Sequence, residues 1–204
     1  MSSLRLAYAD PPYLGQAKRH YAHDPSGIEA TEVDFQELVA QLRTYDGWAM
    51  SASSPSLGYL LSLAPEARVA AWVKPFCSWK PTHRVQYSWE PVLFVPARPK
   101  GTKGRASVRD FVSANITTRR GTHGAKPDAF CDWILDLIGA EPADDLDDLF
   151  PGSGAVGLAW DRLVAGGSAV LAGELIESDG IGGSPIELES TQTIGYSSPW
   201  NSLG

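Results

Sequence analysis

Cysteine is almost missing from this sequence. Cys77 and Cys131 are the only two in 204 residues, and they form no Cys-x-x-Cys pattern. That argues against a disulfide framework or a zinc knuckle and fits a reducing, cytoplasmic setting. Long hydrophobic runs are also missing: nothing approaches the ~18 consecutive apolar residues of a membrane span. The opening Met-Ser-Ser-Leu-Arg has no apolar signal core, so no membrane partner is expected. Basic residues are scarce over the last part of the chain, where Arg162 alone follows Lys126 against fourteen Asp and Glu. The net charge of −7 excludes a protein that wraps a polyanion with its whole surface.

What is present is enough for a packed core, since 43% of residues are hydrophobic. The length suits one domain, expected over 1–178, with a Gly-, Ser- and Thr-rich tail over 179–204. The cations are concentrated: eight fall between Arg98 and Lys126, with Asp110 as the one acid among them. A basic segment at about 98–124 inside an acidic chain points to a polyanion met at one place.

Short apolar runs alternate with helical periodicity. Leu4–Ala9, Trp48–Ser51, Arg68–Val73 and Trp89–Val95 read as strands, as do Asp148–Phe150 and Ser168–Leu171. Glu32–Arg43, Pro55–Ala64, Pro127–Ile138 and Ala155–Val164 read as helices. Ala97–Gly124 reads as an inserted loop region with little core of its own. The alternation predicts an α/β fold with a mostly parallel sheet. No internal repeat is visible.

Two segments carry chemistry. Asp10-Pro11-Pro12-Tyr13 closes the first strand, and ligand sites of open α/β sheets lie at carboxyl strand ends. An exocyclic amino nitrogen on a nucleobase is a poor nucleophile because its lone pair is delocalised into the ring. The Asp10 carboxylate and a backbone carbonyl of Pro11-Pro12 can each accept one amino hydrogen and localise that pair. The prolines stiffen the turn by fixing φ, and Tyr13 offers a face for an extracted base. The same four residues are also a plain proline turn with a capping Asp; the strand ahead of them favours the site. The second segment, Asp148-Leu149-Phe150-Pro151-Gly152-Ser153-Gly154, is a strand running into a glycine turn that opens a helix. Such a turn lets backbone approach a ligand and offers N–H groups to a carboxylate. Asp148 suits an amino group, and Glu174, beyond the next expected strand, suits ribose hydroxyls. A tight connection or a nucleotide site remains an alternative, although the Gly-Lys-Ser/Thr ending and full GxGxxG spacing are absent.

Together the two motifs resemble the S-adenosylmethionine-dependent amino-methyltransferases, which have a Rossmann-like sheet. Asp-Pro-Pro-Tyr comes first and the glycine turn about 140 residues later. That order resembles the circularly permuted β-type DNA enzymes, which carry a target-recognition insert between the motifs, where the basic segment lies here. Lys126-Pro127 and its helix are similar to the lysine-proline helix of that family. Trp72-Val73-Lys74 and Trp89-Glu90-Pro91-Val92 resemble strands found there and in the relatives that methylate adenine in messenger RNA. The chain departs from the family at Leu149, where Pro is usual.

The resemblance implies S-adenosylmethionine as cofactor, bound by Asp10, Lys126, Asp148, Phe150, Pro151, Gly152, Ser153, Gly154 and Glu174. It implies catalysis by Asp10, Pro11, Pro12 and Tyr13 on the N6 of adenine in DNA, Asp at the first motif position favouring adenine over cytosine. RNA as substrate and a catalytically silent nucleic-acid-binding subunit of the same fold are the alternatives. Nucleic-acid contacts are expected from Lys18, Arg19, His20, Trp79, Lys80, Lys100, Lys103, Arg105, Arg109, Arg119 and Arg120. Trp72, Tyr87 and Trp89 could also stack bases but read first as core. The acidic run from Asp144 to Asp148 reads partly as solvated loop. His20 and His23 stand three apart, but no third ligand accompanies them and the chemistry needs no metal. The chain is expected to act as a monomer or homodimer.

Overall fold

The computed structural model describes residues 3–13, 33–77, 81–98, 107–116 and 125–173. Six strands form one sheet: β1 (Arg5–Ala9), β2 (Gly47–Ser51), β3 (Arg68–Val73), β4 (Trp89–Val95), β5 (Phe111–Ser113) and β6 (Asp145–Asp148), in the order β5-β3-β4-β2-β1-β6. β1 pairs in parallel with both β2 and β6, and β3 with β5. β4 runs antiparallel to both neighbours, so it alone opposes the direction of the others.

The helices are α1 (Phe35–Leu42), α2 (Leu57–Leu63), α3 (Asp128–Ile138) and α4 (Ala155–Gly173), with a 3-10 turn at Ser54–Ser56 before α2. Strand alternation sorts the core onto two faces. Leu6, Tyr8, Trp72, Val92 and Phe94 meet Phe130, Ile134 and Ile138 of α3 and Val156 of α4. Ala7, Ala9, Trp48, Met50 and Leu93 meet Phe35, Val39 and Leu42 of α1 and Leu60 of α2. α1 starts where Asp34 accepts hydrogen bonds from the N–H groups of Gln36 and Glu37, an ordinary N-cap.

Three expectations need correction. Ser168–Leu171 is not a strand: its backbone belongs to α4, which runs to Gly173. The strand before the glycine turn is Asp145–Asp148 rather than Asp148–Phe150, so of the acidic run only Asp144 is outside the sheet. As an edge strand it can keep charges at Asp145 and Asp147 while Leu146 packs inward. Finally, the region after β4 does contribute to the core. It holds β5, and Val112, Ala114 and Ile116 pack on the α3 side. Two indole N–H groups fasten this stretch, Trp72 Nε1 donating to Ala114 O at 2.8 Å and Trp133 Nε1 to Arg109 O at 2.9 Å.

Candidate active site

β1 and β6 are neighbours with Tyr8 opposite Asp148, so both motifs emerge at the same edge of the sheet. Leu149 N–H donates to Tyr8 O at 2.9 Å, extending the pairing past the strand end. Asp10 and Asp148 thus stand at adjacent carboxyl strand ends, although 138 residues separate them.

Asp10 is ion-paired. Lys126 Nζ lies 3.0 Å from its Oδ1 and 3.6 Å from Oε2 of Glu90. The other Glu90 oxygen accepts a short hydrogen bond from Lys74. Two carboxylates and two ammonium groups form a largely buried quartet. It rests on an aromatic floor: Lys74 Nζ is 4.4 Å from the Trp72 ring centre, and Lys126 Nζ is 5.3 Å from Trp72 and 5.5 Å from Phe130, within cation–π range. Register assembles this group, because Trp72 pairs with Glu90 across β3 and β4 and Lys126 arrives just ahead of α3.

The charge states follow from the geometry. Burial pushes the Glu90 carboxyl up, but the Lys126 and Lys74 charges outweigh that and hold it below the usual glutamate range. Burial works against the Lys126 charge, and Asp10 and Glu90 together overcome it, so Lys126 stays protonated. Tyr13 is driven well above its ordinary value by burial and by the negative charges of Glu90 and Asp10; it is a neutral phenol beside Glu90. Tyr8, fully buried, shares a 2.8 Å hydrogen bond with Ser51 Oγ.

Asp148 is a different case. Its Oδ1 is buried without a hydrogen-bond partner, and burial is the main reason its carboxyl is raised. The Phe150 N–H opposes that shift and the Asp10 charge adds to it. Beyond it the chain turns through Gly152 and Gly154, both with positive φ, at 48° and 73°, where a side chain would be strained. Nothing lies within 4 Å of a Cβ built on Gly154, so the bend is open just before the N-terminus of α4. The carboxylate without a partner, the open glycine bend and the free helical N–H groups suit a ligand with an ammonium and a carboxylate close together.

No protein-family model and no curated protein sequence matches this chain. Among solved structures, M1.HpyAVI in complex with SAM is similar, with a TM-score of 0.53 and 19% identity over 80% of this chain and 79% of that one. The chain shares the fold of M1.HpyAVI. A second crystal structure of M1.HpyAVI is similar at 20% identity and a TM-score of 0.49 over 79% of this chain and 78% of that one.

Of the residues singled out from sequence, Asp10, Pro11, Pro12, Tyr13, Lys126, Asp148, Phe150, Pro151, Gly152, Ser153 and Gly154 fall at this edge of the sheet. Arg109 is exposed on the segment leading into β5, with its guanidinium 5.9 Å from the Phe111 ring centre. Lys18, Arg19, His20, His23, Trp79, Lys80, Lys100, Lys103, Arg105, Arg119, Arg120 and Glu174 lie outside the described residues, as does the tail at 179–204. Lys74 and Glu90 were not singled out. Their signal was a charge in each of two otherwise apolar strand segments, Trp72-Val73-Lys74 and Trp89-Glu90-Pro91. Among the described residues no group of three His, Cys, Asp or Glu could hold a metal, and no helix is long and apolar enough to cross a membrane.

Proposed function

We propose that this chain is an S-adenosylmethionine-dependent methyltransferase, in permuted motif order, that acts on the exocyclic amino group of a nucleobase, the N6 of adenine in DNA. The observation that carries the reading is the Tyr8–Asp148 register, which brings the Asp-Pro-Pro-Tyr turn and the glycine bend to neighbouring strand ends. The cofactor's methionine end matches the Asp148 side: its ammonium suits the unpartnered Oδ1 and its carboxylate suits the α4 N-terminus. Lys126, with three N–H donors and two carboxylates to serve, keeps one donor for that carboxylate. M1.HpyAVI, which has this fold, is itself known as a SAM complex.

When bound, S-adenosylmethionine supplies a methyl group on a cationic sulfur. Asp10 and a Pro11 or Pro12 carbonyl accept the two amino hydrogens of the base and point the nitrogen lone pair at the methyl. Lys126 holds the Asp10 carboxylate in one orientation. As the nitrogen–carbon bond forms and the sulfur–carbon bond breaks, the amine becomes cationic and must lose a proton. Asp10 is placed to take that proton and pass it to water. This is catalysis by positioning and preorganised charge. Two unpaired thiols suit work in the cytoplasm.

The test is transfer of a labelled methyl group to adenine-containing DNA, followed by nucleoside mass spectrometry. Asp10→Ala should cut the rate by about two to three orders of magnitude in a protein whose circular dichroism and melting show it folded. A folded wild-type protein that binds cofactor yet methylates no nucleic acid would sink the reading.

A further inference from the structure

We infer that the described residues from the end of β3 to the start of β4, 74–77 and 81–89, form a stacking surface for unpaired nucleotides beside the target base; this rests on the function proposed above. β3 runs in the same direction as β1, so the segment leaves the sheet at the end where Asp10 stands. Its two roots, Lys74 and Glu90, belong to the Asp10–Lys126 quartet, so it is continuous with the site.

Three of its described aromatic residues face solvent. Phe76 is 62% exposed, Tyr87 46% and Trp89 40%. A single exposed aromatic means nothing, but three exposed aromatics within fourteen residues beside a site are more than a protein core explains. The patch is held in shape. Phe76 N–H donates to Asn115 Oδ1 at 3.0 Å. His83 meets Tyr87 edge-on with ring centres 5.7 Å apart. Trp89 lies within β4, paired to Val73.

The charge selects the partner. From Pro75 to Ser88 there is no acid, and exposed Arg84 adds a cation, in a chain whose net charge is −7. Exposed aromatic faces on a segment that carries a guanidinium and no carboxylate suit single-stranded nucleic acid, since every base has a π-face and every phosphate a charge. Duplex DNA keeps its bases stacked on each other and cannot use such a surface until the strand opens. The substrate that fits is therefore single-stranded or locally unpaired around the target adenine.

Fluorescence anisotropy with a short fluorescein-labelled single strand, and with the same strand in duplex, tests this in the full chain. Wild type should bind the single strand more tightly. Phe76→Ala/Tyr87→Ala should weaken single-strand binding by about tenfold or more and leave duplex binding unchanged. Phe76→Trp should retain the wild-type affinity, and calorimetric cofactor binding should stay intact in both variants. Unchanged single-strand affinity in the double variant overturns the inference. So does unchanged affinity combined with a shift from dimer to monomer in sedimentation, which would make the patch an interface between copies of this chain. The binding assay reads the surface whether or not methyl transfer is detected, whereas absent transfer bears on the proposed function alone.

Discussion

At the scale of single residues, Asp148 and Asp10 are both carboxylates at the same sheet edge, but they are solvated by different means. Asp10 has a lysine 3.0 Å away. Asp148 has an oxygen with nothing, and its carboxyl is raised by burial, with the Asp10 charge adding to the shift. A carboxyl raised in the folded state binds protons more tightly there than in the unfolded chain. Its ionisation therefore weakens the fold as pH rises from the usual aspartate pKa through the raised folded value, and the cost is fully present above that folded value. Asp148→Asn should remove the cost while keeping the shape. The variant should melt at a higher temperature than wild type without ligand, and it should bind S-adenosylmethionine about tenfold to a hundredfold more weakly, the worth of a lost charge-assisted hydrogen bond. Thermal melts with and without cofactor check both halves. An unstabilised variant that still binds would show that Asp148 is ordinary surface.

At the scale of elements, most of the sheet could be read from apolar patterning. Arg68–Val73 and Trp89–Val95 agree to the residue with β3 and β4, because β-branched and aromatic residues between proline or glycine breaks leave little choice. Ser168–Leu171 misleads for the opposite reason: four small or apolar residues fit a strand or a helix equally, and here the helix already under way from Ala155 continues through Gly166 and Gly167. β6 hides behind its charges, since an edge strand needs only one apolar residue facing in. The Glu90 and Lys74 contacts were out of reach because register across β3 and β4 makes them, and one sequence does not reveal register.

The same limit hid Asp144, the structural clamp at the opposite end of β1 and β6 from the site. It is buried, accepts two hydrogen bonds from Arg98 at 2.7 and 2.9 Å, and caps the Leu4 and Glu141 N–H groups at 3.1 and 2.8 Å. One carboxylate thus ties the start of β1, the approach to β6 and the exit from β4. Asp144→Ala should cost about 3 kcal/mol in urea denaturation, the lower end for a broken buried pair, because Arg98 keeps Glu141 at 3.4 Å. Burial pushes the Asp144 carboxyl up, but Arg98 and the two N–H groups outweigh it and the group ends below its ordinary value. Its stabilisation is therefore present above the usual aspartate pKa and is lost as pH falls through the lower folded value. The variant should lack that part of the acid-unfolding transition.

At the scale of the whole molecule, the question is how a chain of net charge −7 meets a polyanion. The basic stretch supplies eight cations, but its two ends are spent inside the protein: Arg98 on Asp144 and Glu141, and Lys126 on Asp10 and Glu90. The six cations between them in sequence are the candidate phosphate contacts, and the fourteen acids that follow in sequence oppose binding elsewhere. Counterion release makes this countable. Each phosphate neutralised contributes about 0.9 to the slope of log affinity against log salt on duplex DNA and about 0.7 on a single strand. Lys100→Gln, Lys103→Gln and Arg105→Gln combined should flatten that slope by about 2 to 3 on either substrate, weaken binding to every sequence alike, and leave cofactor affinity unchanged. Salt titrations of anisotropy on one oligonucleotide, for wild type and the triple variant, give the two slopes directly. Parallel lines would mean these cations do not touch phosphate. The electrostatic footprint would then have to be sought near Arg84 and Arg109, two exposed cations described outside the buried pairs on the β3–β5 side of the sheet.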